Sequence, residues 1–462
     1  MNYHDIIASK GVVAPPSGFD ATVDNPVLFG WQRVTTEWAC RQGCAALFAD
    51  TGLGKTPMQL EWSRQVIKHT GGRVLILAPL AVGPQTAREA VKFGIPNVKH
   101  VRRAVDVEDG ITVCNYESLH KLDVSSFAGV VLDESSILKS YAGSTKRRLI
   151  EAFEATPFKL ACTATPAPND FLELGNHAEF LGIMSSHQML ARWFINDQSG
   201  MCKYRLKGHA VLAFWDWITS WARCIGRPSD MGNGYSDDGY VLPKLITKRH
   251  SVAVDIVTNR AEGTLFRTQD GSATSLHRER RLTSPDRAAK VAEIVALEPD
   301  ESWLIWTDTN YDADNLMRVL PDAEEVRGPH SDRVKEERLL GFADGHVRIL
   351  VTKPSVAGFG LNWQHCARVA FVGPSYSYEQ YYQAIRRCWR FGQRRSVEVH
   401  VVLAATESMV GEVLDRKGRD HEEMKAAMFA ASRRAAAKSS KTPDYTPTHV
   451  ASIQSWLRTR GP

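Results

Sequence analysis

Residues Ala49 to Thr56 read ADTGLGKT, an arrangement suited to holding a polyphosphate. Cys44 to Phe48 is an apolar run with the mark of a buried strand, Thr56 to Val66 reads as a helix, and Gly52 and Gly54 fall in the turn between them. Glycine lets the main chain approach phosphate closely with its N–H groups pointing inward, and the helix N-terminus adds a favourable dipole. Thr51, Gly52 and Gly54 then line the cradle, Lys55 reaches the β- and γ-phosphates, and the Thr56 hydroxyl takes magnesium. The strict pattern asks for glycine at position 49, where this chain has alanine.

Two further clusters could complete the chemistry. Val130, Val131 and Leu132 form an apolar strand that ends in Asp133 and Glu134. In that setting Asp133 holds magnesium, directly or through water, and Glu134 orients and deprotonates an attacking water. Such a pair also fits an ordinary solvated loop. Much further along, QAIRRCWRFGQ runs from Gln383 to Gln393. Read as a helix, it places Gln383, Arg387 and Arg390 on one face, where planar guanidiniums suit the charge of a transferring phosphoryl group. Arg386, Arg394 and Arg395 are read as solvated surface residues. Between the clusters lies GFGLN, Gly358 to Asn362, whose glycines allow close backbone approach to a ligand or simply shape a loop. Together these residues describe an ATP site divided between two parts of one chain.

The elements that must position them follow from the apolar pattern. From Ala45 to about Gly182, short apolar runs (ALFA, VLILAP at Val74, ITVCN at Ile111, VVLD at Val130, KLACTATP at Lys159) alternate with amphipathic stretches. That predicts an α/β fold, a doubly wound parallel sheet with helices on both faces, and chemistry at the carboxyl ends of the strands. Residues 183–282 change character. FWDWITSWARC, Phe214 to Cys224, is an aromatic helix that suits core packing or base stacking, and a polar loop from Ser229 to Tyr240 follows. This stretch is expected to be a helical insertion between the lobes. The alternating pattern then returns, with strands expected at Trp303–Trp306, Ile349–Val351, Val369–Val372 and Val397–Leu403 in a second sheet of the same class. The expected division is an N-terminal extension (1–27), a first lobe (28–182), the insertion (183–282), a second lobe (283–405), and a C-terminal helix with a basic tail (406–462).

Composition sets outer limits. At 462 residues, with 43% apolar and 24% charged side chains, the chain has the make-up of a soluble protein of two or three domains. No apolar run approaches a membrane span, and the N-terminus lacks a secretory pattern. Eight scattered cysteines without a CxxC spacing fit reduced thiols and a cytoplasmic setting. A net charge of only +5 leaves any nucleic-acid groove to local arrangement. The basic stretch Ala431 to Lys441 fits either a solvated helix end or a phosphate-contacting tail.

Taken in order, Gln32, ADTGLGKT, DESSILKS, TATPAPNDFLEL, GFGLN and QAIRRCWRFGQ resemble the motif series of superfamily 2 helicases, and within them the Swi/Snf type. DESSILKS, Asp133 to Ser140, resembles the DEAH box with a trailing lysine at Lys139. ATPAPNDFLEL, Ala164 to Leu174, resembles the third motif, and Gln383 to Gln393 fits QAxxRxxRxGQ without a gap. The resemblance spans roughly residues 28–415 and implies two tandem RecA-like lobes. It also implies that Gln32 reads the adenine edge, that Lys55 and Thr56 bind phosphate and magnesium, and that Asp133 and Glu134 serve metal and water. Arg387 and Arg390 would act as fingers from the second lobe, with Gly360 and Gln383 nearby. Thr163 and Thr165 would couple hydrolysis to lobe motion. Duplex DNA would lie across both lobes, near Lys139 and Asn362.

Ser135 and Ser136 stand where the usual box has Ala-His, which removes the histidine that links hydrolysis to the third motif. The short middle segment suits a compact prokaryotic or viral member. The expectation is therefore an ATP- and magnesium-dependent motor on duplex DNA. Its alternatives are a strand-separating helicase with the same core and a nucleotide-switched, partner-recruiting DNA-binding protein.

Overall fold

The computed structural model describes residues 13–79, 82–139, 143–168, 170–196, 204–232, 234–253, 280–357 and 362–439. Two parallel sheets dominate it. The front sheet contains β1 (Cys44–Ala49), β2 (Arg73–Ala78), β3 (Val98–His100), β4 (Ile111–Asn115), β5 (Phe127–Asp133) and β6 (Phe158–Cys162). Next come a small antiparallel pair, β7 (Phe194–Asn196) and β8 (Tyr204–Leu206), and then β9 (Ala222–Ile225), which returns to the front sheet. The rear sheet contains β10 (Leu245–Val252), β11 (Trp303–Thr307), β12 (Ala323–Val326), β13 (Ile349–Thr352), β14 (Arg368–Val372) and β15 (Val397–Ala404). Strand orders are β3-β4-β2-β5-β6-β1-β9 and β10-β15-β14-β11-β13-β12.

The period-two alternation of strand side chains explains why each sheet has a core on both faces. In β1, Ala46 and Phe48 enter one front-lobe core while Ala45, Leu47 and Ala49 enter the other. In β11, Leu304 and Trp306 face one rear core and Trp303 and Ile305 the opposite one. These are the two RecA-like lobes expected from the sequence.

The stretch 183–282 is partly helical, at Ser186–Trp193 and Val211–Trp221, but it does not stand apart from the lobes. It gives one edge strand to each sheet, β9 beside β1 and β10 beside β15. Trp215, Trp217 and Trp221 are buried in the front core, and Trp217 stacks on Trp193 at 4.5 Å. Burial of all three rings excludes the base-stacking alternative.

The terminal helix, Ser408–Ser439, has 32 residues and is roughly 48 Å long at 1.5 Å per residue. Val410 and Leu414 near its start sit in the rear core, whereas Met424, Met428 and Ala431 sit in the front core. One helix thus straddles both lobes. Its basic end is docked on protein: Arg433 pairs with Asp230 at 2.6 Å and the Ser432 hydroxyl accepts from Cys224 N at 3.1 Å. The rest of the basic stretch, from residue 440 on, lies outside the described residues. No described helix is long and apolar enough to cross a membrane.

Candidate active site

Strand register assembles the front half of the site. Leu47, Cys162 and Asp133 stand level across β1, β6 and β5, so the phosphate loop, Thr163 and the Asp133–Glu134 pair leave the sheet side by side at its carboxyl edge. Strand β6 lies between the loop's strand and the one bearing the carboxylates. Ala49 is the last residue of β1, in register with Ile225, so an extended conformation serves there and glycine is not needed. Gly52 and Gly54 have φ of 89° and 70°, values that L side chains rarely adopt. Gly52 also lets the rear lobe approach: a Cβ on it would lie 3.0 Å from that of Phe391.

Lys55 opens the helix Lys55–Thr70 and turns back to donate to the Ala49 carbonyl at 2.9 Å and the Asp50 carbonyl at 3.4 Å. Burial lowers its pKa, against the opposing pull of Glu134, Asp50 and Asp133. Gln32 is packed beneath the loop, giving a hydrogen bond to Leu53 O at 3.1 Å and accepting one from Phe29 N at 3.0 Å. Asp133 accepts from Gln59 Nε2 at 2.9 Å. Burial pushes its pKa up to about 6, with Glu134 adding to the rise and the Gln59 bond opposing it.

Glu134 has a φ of 62°, in the left-handed region unusual for a side-chain-bearing residue, a form of local strain that collects at functional sites. Its Oε1 accepts from the Thr163 hydroxyl and from Ser136 Oγ at 2.9 Å. Thr163 Oγ1 in turn accepts from Thr165 N at 3.0 Å. The serine that replaces histidine therefore still reaches Glu134, and Thr163 joins the third motif to Glu134 directly.

From the rear lobe, the helix Tyr378–Ile385 begins at a Ser377 cap and carries Gln383, whose Nε2 donates to Glu134 Oε2 at 3.3 Å. Contrary to the sequence expectation, Arg387 and Arg390 are not on that helix. It ends at Ile385, and the arginines follow on a turn held by Arg387 N to Ala384 O and Trp389 N to Ile385 O. They nevertheless line the same cleft, of about 370 Å³, as Gln32, Thr51, Gly52, Gly54, Lys55 and Thr56, with Asp133, Glu134, Gln383 and exposed Asn362 also on its wall. Burial and Arg390 lower Arg387 to about 9, and burial and Arg386 lower Arg390 to about 10. Crowded, desolvated guanidiniums of this kind gain by meeting a polyanion. Gly360 lies outside the described residues.

Lys139 is not part of this cleft. It pairs across the lobes with Glu379 and lines a second groove with Arg102, Lys335 and Glu134. Arg386, expected on the surface, is instead buried and ion-paired with Asp50. Asp50, Tyr382 and Lys425 were not singled out by sequence reasoning. One signal does exist: a carboxylate in a loop built for a polyanion needs cations of its own.

The described residues contain no group of three or more His, Cys, Asp or Glu able to hold a metal alone. The oxygen donors of Thr56 and Asp133 do suit magnesium, which binds through one or two protein oxygens plus substrate phosphates. The positive-φ glycine loop and the depressed arginine pair likewise suit a nucleoside triphosphate.

Residues 286–392 match the family model for the helicase conserved C-terminal domain. The matched segment makes up most of the rear lobe, which in this respect is similar to a helicase C-terminal domain. No curated protein matches the sequence. The helicase domain runs from the helix Ser284–Ala296 through β14 to the arginine turn, and so includes every rear-lobe residue on the cleft. With a RecA-like lobe in front of it, this match supports a helicase-type protein.

Proposed function

We propose that this helicase-type chain is an ATP- and magnesium-dependent motor of the Swi/Snf type that translocates along duplex DNA, in a compact prokaryotic or viral form. The observation that carries the reading is the convergence of Lys55, Thr56, Asp133 and Glu134 from the front lobe with Gln383, Arg387 and Arg390 from the rear lobe on one cleft. Neither lobe alone presents both a phosphate cradle and cations for the far side of the phosphates.

In this reading Lys55 leaves the Ala49 and Asp50 carbonyls for the β- and γ-phosphates, which the loop N–H groups cradle. Thr56 and Asp133 would hold magnesium, which would neutralise charge on the phosphates. Glu134, oriented by Thr163 and Ser136, takes the proton of the attacking water. Arg387 and Arg390 stabilise the charge on the transferring group. In the same reading Gln32, beside the loop, meets the base.

Coupling to motion follows from who touches Glu134. Thr163 connects it to Thr165 and the third motif, and Gln383 connects it to the rear lobe, so a change at the γ-phosphate is felt by both. Nucleic acid would lie along the groove of Lys139, whereas Asn362 stands on the wall of the other cleft. Phosphate contacts would dominate, making binding sequence-tolerant and salt-sensitive. A triplex-displacement assay tests translocation: ATP-dependent release of the third strand without separation of the underlying duplex supports this reading. Strand separation instead points to an unwinding helicase, and nucleotide-dependent DNA binding without turnover to a switch.

A further inference from the structure

We propose that Asp50, inside the phosphate loop, is a positioning residue: gripped by Lys425 of the terminal helix and Arg386 of the rear lobe, it sets the loop and the arginine turn in register for ATP hydrolysis. The inference rests on the ATPase reading above. Asp50 N donates to Ile225 O at 2.8 Å, and its own Oδ1 accepts from Thr51 N at 2.7 Å, so side chain and loop backbone move together. Oδ1 also accepts from the Tyr382 hydroxyl at 2.8 Å, while Oδ2 pairs with Arg386 and, at 3.0 Å, with Lys425. The Tyr382 oxygen accepts from Lys425 at 3.2 Å and from Arg386 Nε at 3.1 Å, closing a four-residue network in which every member is buried.

The network joins three parts of the machine. Asp50 lies five residues before Lys55. Arg386 immediately precedes Arg387, which lines the phosphate cleft, so holding one fixes where its neighbour stands, about 3.8 Å away along the chain. Lys425 lies on the terminal helix where that helix passes from the rear core to the front core. Where the helix leaves the rear lobe, Glu407 is held by buried Arg280 and Arg287. Lys425 thus brings the hold of both lobes to bear on the loop. Burial by itself would raise the Asp50 pKa, but Arg386 and Lys425 overcome it and hold the group well below the usual carboxylate range.

A purely structural contact here would be served as well by apolar side chains, since buried ion pairs add little net stability. Placement on the back of the loop whose next residues line the cleft gives the charge a reason. The nucleotide is held by Lys55 and the front-lobe loop whether or not the helix grips Asp50, so loss of the grip acts on turnover and not on binding.

The test is steady-state ATP hydrolysis by the full chain with saturating duplex DNA. Lys425→Met, which leaves Arg386 to neutralise Asp50, is expected to lower kcat about tenfold or more with KM for ATP within about twofold of wild type. Lys425→Arg keeps the charge and is expected to retain kcat within about threefold. Asp50→Asn is expected to lower kcat without raising KM. Wild-type kcat in Lys425→Met, or a fall that only tracks loss of folded protein by circular dichroism, overturns the inference and leaves the ATPase reading intact. Absence of hydrolysis by the wild-type chain overturns that reading and the inference with it. A double-mutant cycle on urea unfolding checks the pairing without nucleotide: the Asp50→Asn and Lys425→Met effects must be non-additive, and additive effects overturn the pairing.

Discussion

Gln383 of the rear lobe donates to Glu134 of the front lobe at 3.3 Å, linking residues 249 positions apart. The carboxylate it touches also takes hydrogen bonds from Thr163 and Ser136. Elements from both lobes therefore converge on a single side chain at the edge of the phosphate cleft.

If Glu134 is the base, Glu134→Gln keeps the size and most of the hydrogen bonding but cannot take a proton. Turnover should fall by roughly 10²–10⁴-fold, the usual range for general-base catalysis, while a fluorescent ATP analogue still binds. Near-normal turnover would assign Glu134 to structure alone.

The two lobes make separable contributions. Lys55→Ala should abolish hydrolysis together with tight nucleotide binding. Arg390→Ala should lower kcat by about 10³-fold or more while sparing binding, as expected for a finger that acts on the transition state. Parallel ATPase and binding titrations distinguish the two patterns.

Gly52→Ala strains a backbone at φ 89° and sets a methyl group against Phe391. A left-handed conformation costs about 1–2 kcal/mol for a residue with a Cβ. The expected outcome is a lower melting temperature and a clear loss of kcat, because the displaced Phe391 neighbours Arg390. An unchanged melting temperature and kcat would show that the loop does not hold this conformation.

Acid sensitivity is expected from His177. Burial first, then Lys146, lower its pKa from 6.5 to about 3. Between those values the unfolded chain binds a proton that the native chain refuses, so stability is complete above pH 6.5 and falls as the pH drops toward 3. The slope for one such group is about 1.4 kcal/mol per pH unit. His421, also lowered to about 3 by burial and Lys425, adds a second contribution with the same sign. Urea unfolding at pH 6.5, 5.5 and 4.5 should show this loss, and His177→Leu should make it shallower, leaving the His421 contribution. Equal slopes in both proteins would contradict the assignment.

The sequence made the site legible where chemistry is local. The apolar runs of β1, β2 and β5 show the front sheet, and glycines 52 and 54 beside Lys55 show the positive-φ turn that leads into the helix Lys55–Thr70. The two edge strands are hidden for physical reasons. Strand β9 starts directly after Trp221 without a turn signal, and β10, LITKRHSV, is exposed along much of its length and lacks an apolar run. The end of the helix at Ile385 is hidden because the spacing beyond it remains helical. Tertiary partners hold the turn, among them Pro243 O, which accepts from the Trp389 indole at 2.6 Å. The side-chain partners of Asp50 across the lobes lie from 332 to 375 positions away, beyond the reach of any local pattern.

In the proposed motor, two halves of one chain close over ATP and a nucleic-acid track drives the closure. Steady-state ATP hydrolysis measured with duplex DNA, single-stranded DNA and RNA tests it most directly. Stimulation should be strongest with duplex DNA, about tenfold or more over the free protein, and should weaken with salt. Absence of hydrolysis under every condition, or a rate indifferent to all three nucleic acids, would contradict it.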